Sequence, residues 1–324
     1  MTPLLEVTGL NVEYYDPQAP VRAVNDVSFT LGRGEILGVA GESGSGKSTL
    51  ITALLRLDRP PARVVGGRAY YHPREVDLLR LDADKLRALR WEELAIVFQS
   101  AMNALNPVHR LERQFLDVIR EHRKVSKAAA RERAAHLLSL VGIPADRLRA
   151  FPHEMSGGMR QRATIALALA CDPELVVMDE PTTAVDVVMQ RQIMRQIMRL
   201  RRELGFAVIF VTHDLSLLIE MADKIAIMYG GRIVELAGAK DIYHAPRHPY
   251  TRGLRDSFPP LHGERRRLRG IPGSPPDLRE TPAGCAFAPR CADRMEACRS
   301  SVPALLDLDG RQVACLLHQG ADHE

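Results

Sequence analysis

Nine consecutive residues, Gly41-Glu42-Ser43-Gly44-Ser45-Gly46-Lys47-Ser48-Thr49, fit the spacing G-x-x-x-x-G-K-[ST] and follow directly on the apolar run ending at Ala40. Glycines at 41, 44 and 46 let the backbone curl until successive N–H groups point inward, and a helix starting near Ser48 adds its own unpaired amides. Such a cradle takes a polyphosphate, with Lys47 reaching the β- and γ-phosphates and the Ser48 hydroxyl offered to Mg²⁺. A second apolar run, from Leu175, ends on two adjacent carboxylates, Asp179 and Glu180. Neighbouring strand residues point to opposite sides, so the two acids have different tasks. Asp179 helps hold Mg²⁺, directly or through water, and Glu180 polarises an attacking water.

A different chemistry sits near the end of the chain. Cys285, Cys291, Cys298 and Cys315 are spaced C-x5-C-x6-C-x16-C. Zinc sites usually draw on close C-x2–4-C pairs, and none occurs there. Irregular spacing suits an iron–sulfur cluster at least as well, because each iron needs one thiolate from any loop that delivers it. Zinc, redox thiols and packing stay open as the other readings. Cys171, in an apolar helical stretch, reads as a small buried residue. His244 and His248 are four apart, but Pro246 between them argues against a helical metal pair.

The elements that must carry these groups alternate. Strands are expected at Leu4–Val7, Val27–Leu31, Glu35–Ala40, within 92–99, and at Leu175–Asp179, Ala207–Thr212 and Ile225–Met228. Helical patterns fall between Leu111 and Val141 and at Ala163–Cys171, Val187–Leu204 and Leu215–Met221. Met189, Ile193, Met194, Ile197 and Leu200 recur at helical spacing and belong to the core. Apolar strands interleaved with helices indicate an α/β fold around a parallel sheet covered on both faces. After His244 the chain becomes rich in Pro and Gly, which places a domain boundary near 245.

Length and composition set outer limits. With 324 residues, 46% hydrophobic and 26% charged, the chain can bury a full core. A net charge of +4 is too mild to imply a nucleic-acid surface. The basic run at 264–269 reads as a solvated loop. No stretch resembles a secretory leader or is long enough to span a bilayer, so the expected place is the cytoplasm, with any membrane role that of a peripheral subunit.

Met155-Ser156-Gly157-Gly158-Met159-Arg160-Gln161-Arg162 is similar to the signature of ATP-binding-cassette (ABC) ATPases, with Met155 where Leu is usual. Other marks follow in the family's order: Gln99 ending a strand like a Q-loop, the D-loop-like segment 183–186 ending in Asp186, and His213 resembling the switch histidine. Tyr14, with Tyr15 as the alternative, matches the aromatic that stacks on adenine. The resemblance covers residues 4–240 and implies a P-loop (RecA-like) ABC core, residues 1–245, with a helical subdomain inserted at about 100–163. It implies ATP and Mg²⁺ as ligands. Gly41, Ser43, Gly44, Ser45, Gly46, Lys47, Ser48 and Thr49 hold the phosphates, and Ser48, Gln99 and Asp179 serve the metal. Glu180, His213 and Gln99 serve hydrolysis, and Ser156, Gly157 and Gly158 face the ATP of a partner cassette.

The segments around 248–259 and 271–278, with the cysteine pattern, resemble the C-terminal extension (246–324) of ATPase subunits from dipeptide and oligopeptide importers and their nickel-transport relatives. In that subfamily such cysteines are associated with a [4Fe-4S] cluster. The resemblance implies import of di- or oligopeptides, with nickel or another small solute as the alternative cargo. It also implies a second, non-identical cassette, two membrane permease subunits contacted through the region after Gln99, and an extracytoplasmic solute-binding protein. A soluble cassette acting on nucleic acid or ribosomes, and an ATP-binding regulatory subunit without turnover, are the rival classes.

Overall fold

Leu5–Tyr14 (β1) alternates buried and less buried residues along most of its length, which is the pattern of a strand with one face on a core. It pairs antiparallel with Val21–Leu31 (β2) on one side and Ala62–Tyr71 (β4) on the other, and Val76–Asp77 (β5) closes the order β2-β1-β4-β5. This antiparallel sheet is additional to the parallel sheet expected from the sequence. The expected strand at Leu4–Val7 runs on to Tyr14, because bulges within the pairing let it pass Gly9 and continue.

The computed structural model describes residues 2–99, 104–182, 186–257, 270–280 and 282–319. The chain divides into two units, one of Met1–Gly32, Ile36–Arg80 and Val211–Glu324, the other of Arg33–Glu35 and Leu81–Phe210.

In the first unit, Ile36–Ala40 (β3) is buried at all five positions and pairs parallel with Lys224–Tyr229 (β9). Arg232–Gly238 (β10) returns antiparallel on β9. The tail then adds Arg311–Val313 (β12) to β10, with Leu306–Leu308 (β11) outside it. Helices Lys47–Leu54, Leu215–Met221, Ala239–His244 and Pro249–Asp256 complete the unit.

In the second unit, Ala207–Val211 (β8, all but its last residue), Leu175–Asp179 (β7) and Leu94–Val97 (β6) lie in that order, with β6 and β7 parallel. The expected helical stretch Leu111–Val141 is two helices, Leu111–His122 and Lys127–Leu140. Ser126 interrupts it by accepting the Ala129 amide at 3.2 Å as an N-cap. The expected helix at Ala163–Cys171 starts earlier, at Gly157, and ends at Ala168. Val187–Leu204 forms as expected, burying Ile193, Met194, Ile197 and Leu200. Among the described residues no helix is long and apolar enough to cross a membrane.

Candidate active site

In the first unit β3 delivers the chain into the glycine-rich turn. Gly41 and Gly46 have φ of 154° and 99°, and a Cβ at Gly46 would lie 2.0 Å from the Ala23 carbonyl oxygen. Only glycine fits that close approach, so the loop is shaped by its missing side chains. Lys47 opens the helix Lys47–Leu54 and is 6% exposed. Its ammonium donates to the carbonyls of Gly41 at 2.9 Å and Glu42 at 2.8 Å, and to Ser45 Oγ at 3.4 Å. Ser43, Gly44 and Ser48 are exposed along the same turn.

Tyr14 ends β1 beside this helix, its hydroxyl 3.1 Å from Thr49 Oγ1. Tyr15 is 67% exposed. His213 is also exposed, after Thr212, whose amide donates to the Val39 carbonyl at 3.2 Å and whose hydroxyl accepts the Asp214 amide at 3.1 Å. Asp214 caps Leu215–Met221 by accepting from Leu217 N at 3.3 Å. The histidine is thus held between a paired strand end and a capped helix.

In the second unit Asp179 is buried at the end of β7, and Glu180 follows with φ of 43°. A left-handed backbone at a non-glycine residue stores about 1–3 kcal/mol of strain, and such positions cluster at working sites. Gln99 Nε2 donates to Glu180 Oε2 at 3.2 Å, so two of the expected hydrolytic residues meet. Ser156 is exposed and caps Gly157–Ala168, accepting the Met159 amide at 3.3 Å. Gly158 is buried, and a Cβ there would stand 2.8 Å from Met189 Sδ. Asp186 caps Val187–Leu204 by accepting Met189 N at 2.9 Å. The remainder of its segment, 183–185, the start of the region after Gln99, 100–103, and all of the basic run, 264–269, lie outside the described residues.

The tail, in the first unit, gathers the four cysteines. Cys285 N donates to the Cys298 carbonyl at 2.9 Å. Burial lifts the Cys285 thiol above its ordinary value, with Cys298 adding. Burial also lifts Cys291, with Asp293, Cys285 and Cys298 adding. Cys315 is pushed up to about 11 by burial first, then by the other three thiols. All four sulfurs therefore sit within electrostatic reach of one another. Among the described residues no three Cys, His, Asp or Glu side chains close around a single ion.

Sequence reasoning missed the supports beneath the loop. His248 is 1% exposed, and its Nδ1 accepts the Tyr250 amide at 3.0 Å, capping Pro249–Asp256. Its pKa is lowered to about 3, by burial first and then by Arg252 and His318, so the imidazole is neutral. Tyr250 OH in turn accepts the Glu42 amide at 2.9 Å. The Pro at the first helical position was the visible signal for this helix start.

The chain is similar to known proteins along most of its length. The ABC transporter family model matches residues 24–183, and the model of the oligopeptide/dipeptide transporter C-terminal region matches residues 234–298. A probable peptide ABC transporter ATP-binding protein of Sinorhizobium fredii is 45% identical over 96% of this chain and 94% of its own. The oligopeptide transport ATP-binding protein OppD of Salmonella typhimurium is 44% identical over 96% and 93%. The dipeptide transport ATP-binding protein DppD of Escherichia coli is 42% identical over 96% of each. Among solved structures, a dimeric ATP-binding cassette in a post-hydrolysis state with ADP and Pi superposes with a TM-score of 0.65, at 26% identity, over 72% of this chain and 98% of that one.

A neighbour caught with its hydrolysis products, matched over nearly its whole length, sets the class as ATP-hydrolysing cassettes. Within that class the chain belongs to the ABC transporter ATP-binding proteins that carry the oligopeptide/dipeptide transporter C-terminal region.

Proposed function

We propose that the chain is the ATP-hydrolysing subunit of an importer of di- or oligopeptides, working at the cytoplasmic face of the cell membrane. It pairs with a second, non-identical cassette and sits on two permease subunits, and an extracytoplasmic solute-binding protein delivers the cargo. The observation that carries this reading is likeness along the full chain, tail included, to peptide-transport ATP-binding proteins.

Gly41 to Thr49 wrap the triphosphate with backbone amides, and Lys47 leaves its loop carbonyls to reach the β- and γ-phosphates. Tyr14 stacks on adenine. Ser48, Gln99 and Asp179 present only oxygen donors, which fits Mg²⁺. Bound there, Mg²⁺ would neutralise charge developing on the phosphoryl oxygens. Glu180 takes a proton from the attacking water, Gln99 and His213 orient that water, and Asp186 borders the shared face. Ser156, Gly157 and Gly158 offer a helix N-terminus to the nucleotide of the opposite cassette.

The tail thiols fit a [4Fe-4S] cluster better than one zinc ion. Their spacing, C-x5-C-x6-C-x16-C, lacks the close C-x2–4-C pairs that zinc sites use, whereas a cluster needs only one thiolate per iron. Cys285, Cys291, Cys298 and Cys315 would hold it, and its role is to staple a proline-rich extension that has little core of its own.

The reading is tested in the assembled transporter reconstituted in vesicles. Peptide and the binding protein stimulate ATP turnover in the wild-type complex. Glu180→Gln lowers turnover by at least about a hundredfold while ATP still binds. Retained turnover in that variant removes Glu180 from its role, and stimulation by nucleic acid but not peptide removes the importer. Iron and sulfide analysis of anaerobically purified protein tests the cluster, and iron-free material removes it.

A further inference from the structure

Arg290 belongs to the tail, one residue before Cys291, yet its side chain ends on the phosphate loop. Its Nη1 and Nη2 donate to the two carboxylate oxygens of Glu42 at 2.7 and 3.0 Å, and the arginine side chain is only 5% exposed. The guanidinium is aimed from behind. Nε donates to the Pro272 carbonyl at 2.7 Å and Nη1 to the Tyr229 hydroxyl at 3.3 Å. Phe287, three residues earlier on the same segment, packs edge-on against Tyr229 and Tyr250 with centroids 5.2 and 5.4 Å away.

Glu42 is therefore fixed at every polar group it has. Its carboxylate is forked by Arg290, its amide is taken by Tyr250, and its carbonyl accepts from Lys47. The lysine that serves the phosphates and the carboxylate that serves the tail thus share one residue. Glu42 follows the first glycine of a loop that receives a polyanion, so an unpaired carboxylate there opposes the ligand. A bidentate arginine cancels that charge and sets the loop's direction together, which a point-like ammonium cannot do.

We propose that Arg290 is a positioning residue for nucleotide binding. It cancels the charge of Glu42 and holds that residue, and through it the phosphate loop, in the form that accepts triphosphate, so ATP affinity depends on the seating of the tail. The proposal rests on the phosphate-loop reading given above.

The test is nucleotide titration with a fluorescent ATP analogue, steady-state turnover and melting temperature, measured on the full chain in its complex. Arg290→Ala weakens ATP binding and raises KM by about tenfold to a hundredfold, with a smaller change in kcat, as a misplaced loop does. Arg290→Lys falls between it and the wild type. Glu42→Gln placed in the Arg290→Ala background recovers much of the affinity, because the opposing carboxylate is gone. A merely structural arginine gives a lower melting temperature without that recovery. An unchanged KM in Arg290→Ala, or no recovery in the double variant, overturns the proposal. Should Arg290→Ala not fold, Arg290→Lys decides, and wild-type affinity there overturns it. Lys47→Ala separates the two levels: if ATP binding survives in it, the phosphate-loop reading fails, and if binding is lost there while the Arg290 variants bind normally, only the present proposal fails.

Discussion

His248 shows how one buried side chain links the tail to the nucleotide loop. It is neutral in the fold, with a pKa near 3 against an ordinary value of 6.5, because burial, then Arg252 and His318, disfavour the imidazolium. Between those two values the unfolded chain binds a proton that the folded chain does not. The contribution of this group is therefore complete above the unfolded pKa and is lost as pH falls, by up to about 1.4 kcal/mol per pH unit. Urea unfolding at about pH 7.5 and about pH 5 should show this loss of stability, and His248→Asn, which keeps a capping acceptor but does not titrate, should flatten the slope. Equal stability of the wild type at both values would mean that the imidazole is not held neutral.

Helices in the second unit depend on caps that contribute separately from the chemistry. Ser126 holds the start of Lys127–Leu140, and Ser126→Ala should cost about 1 kcal/mol in urea unfolding while ATP turnover is unchanged. The phosphate loop depends instead on close approach. Gly46→Ala must move the Ala23 carbonyl, 2.0 Å from the added carbon, and should abolish ATP binding along with a loss of stability of several kcal/mol, read by titration and melting.

These cases also mark what could be read from the chain. Strand β7 and helix Val187–Leu204 were legible because a wholly buried strand and a one-sided helix each write their period into the sequence. The glycine-rich turn was legible because no other residue tolerates its geometry. The antiparallel pairing of β1 with β4 was not, since strand partners 48 or more residues apart leave no local pattern. The Glu42–Arg290 pair, 248 residues apart, is hidden for the same reason.

For the assembled molecule the proposed function makes the joint clamping of ATP by two cassettes the decisive step. Ser156 is exposed at the start of Gly157–Ala168, where its side chain caps the helix N-terminus. Shifting a pair of cassettes from 1:99 to 99:1 closed requires about 5.5 kcal/mol of differential binding. Charge-assisted hydrogen bonds contribute about 1.5–3 kcal/mol each, so about two to four new contacts per closed pair suffice. On that reading Glu180→Gln removes the proton acceptor but leaves the cradle, so ATP should hold the closed form in place. Mixed with its partner cassette, the variant should sediment as a dimer with ATP and as monomers with ADP. Adding Ser156→Arg, which fills the helix start with a long cation, should return it to monomers even with ATP. A Glu180→Gln chain that stays monomeric beside its partner and ATP would show that the signature turn does not close on the opposite nucleotide, and the proposed sandwich would have to be abandoned.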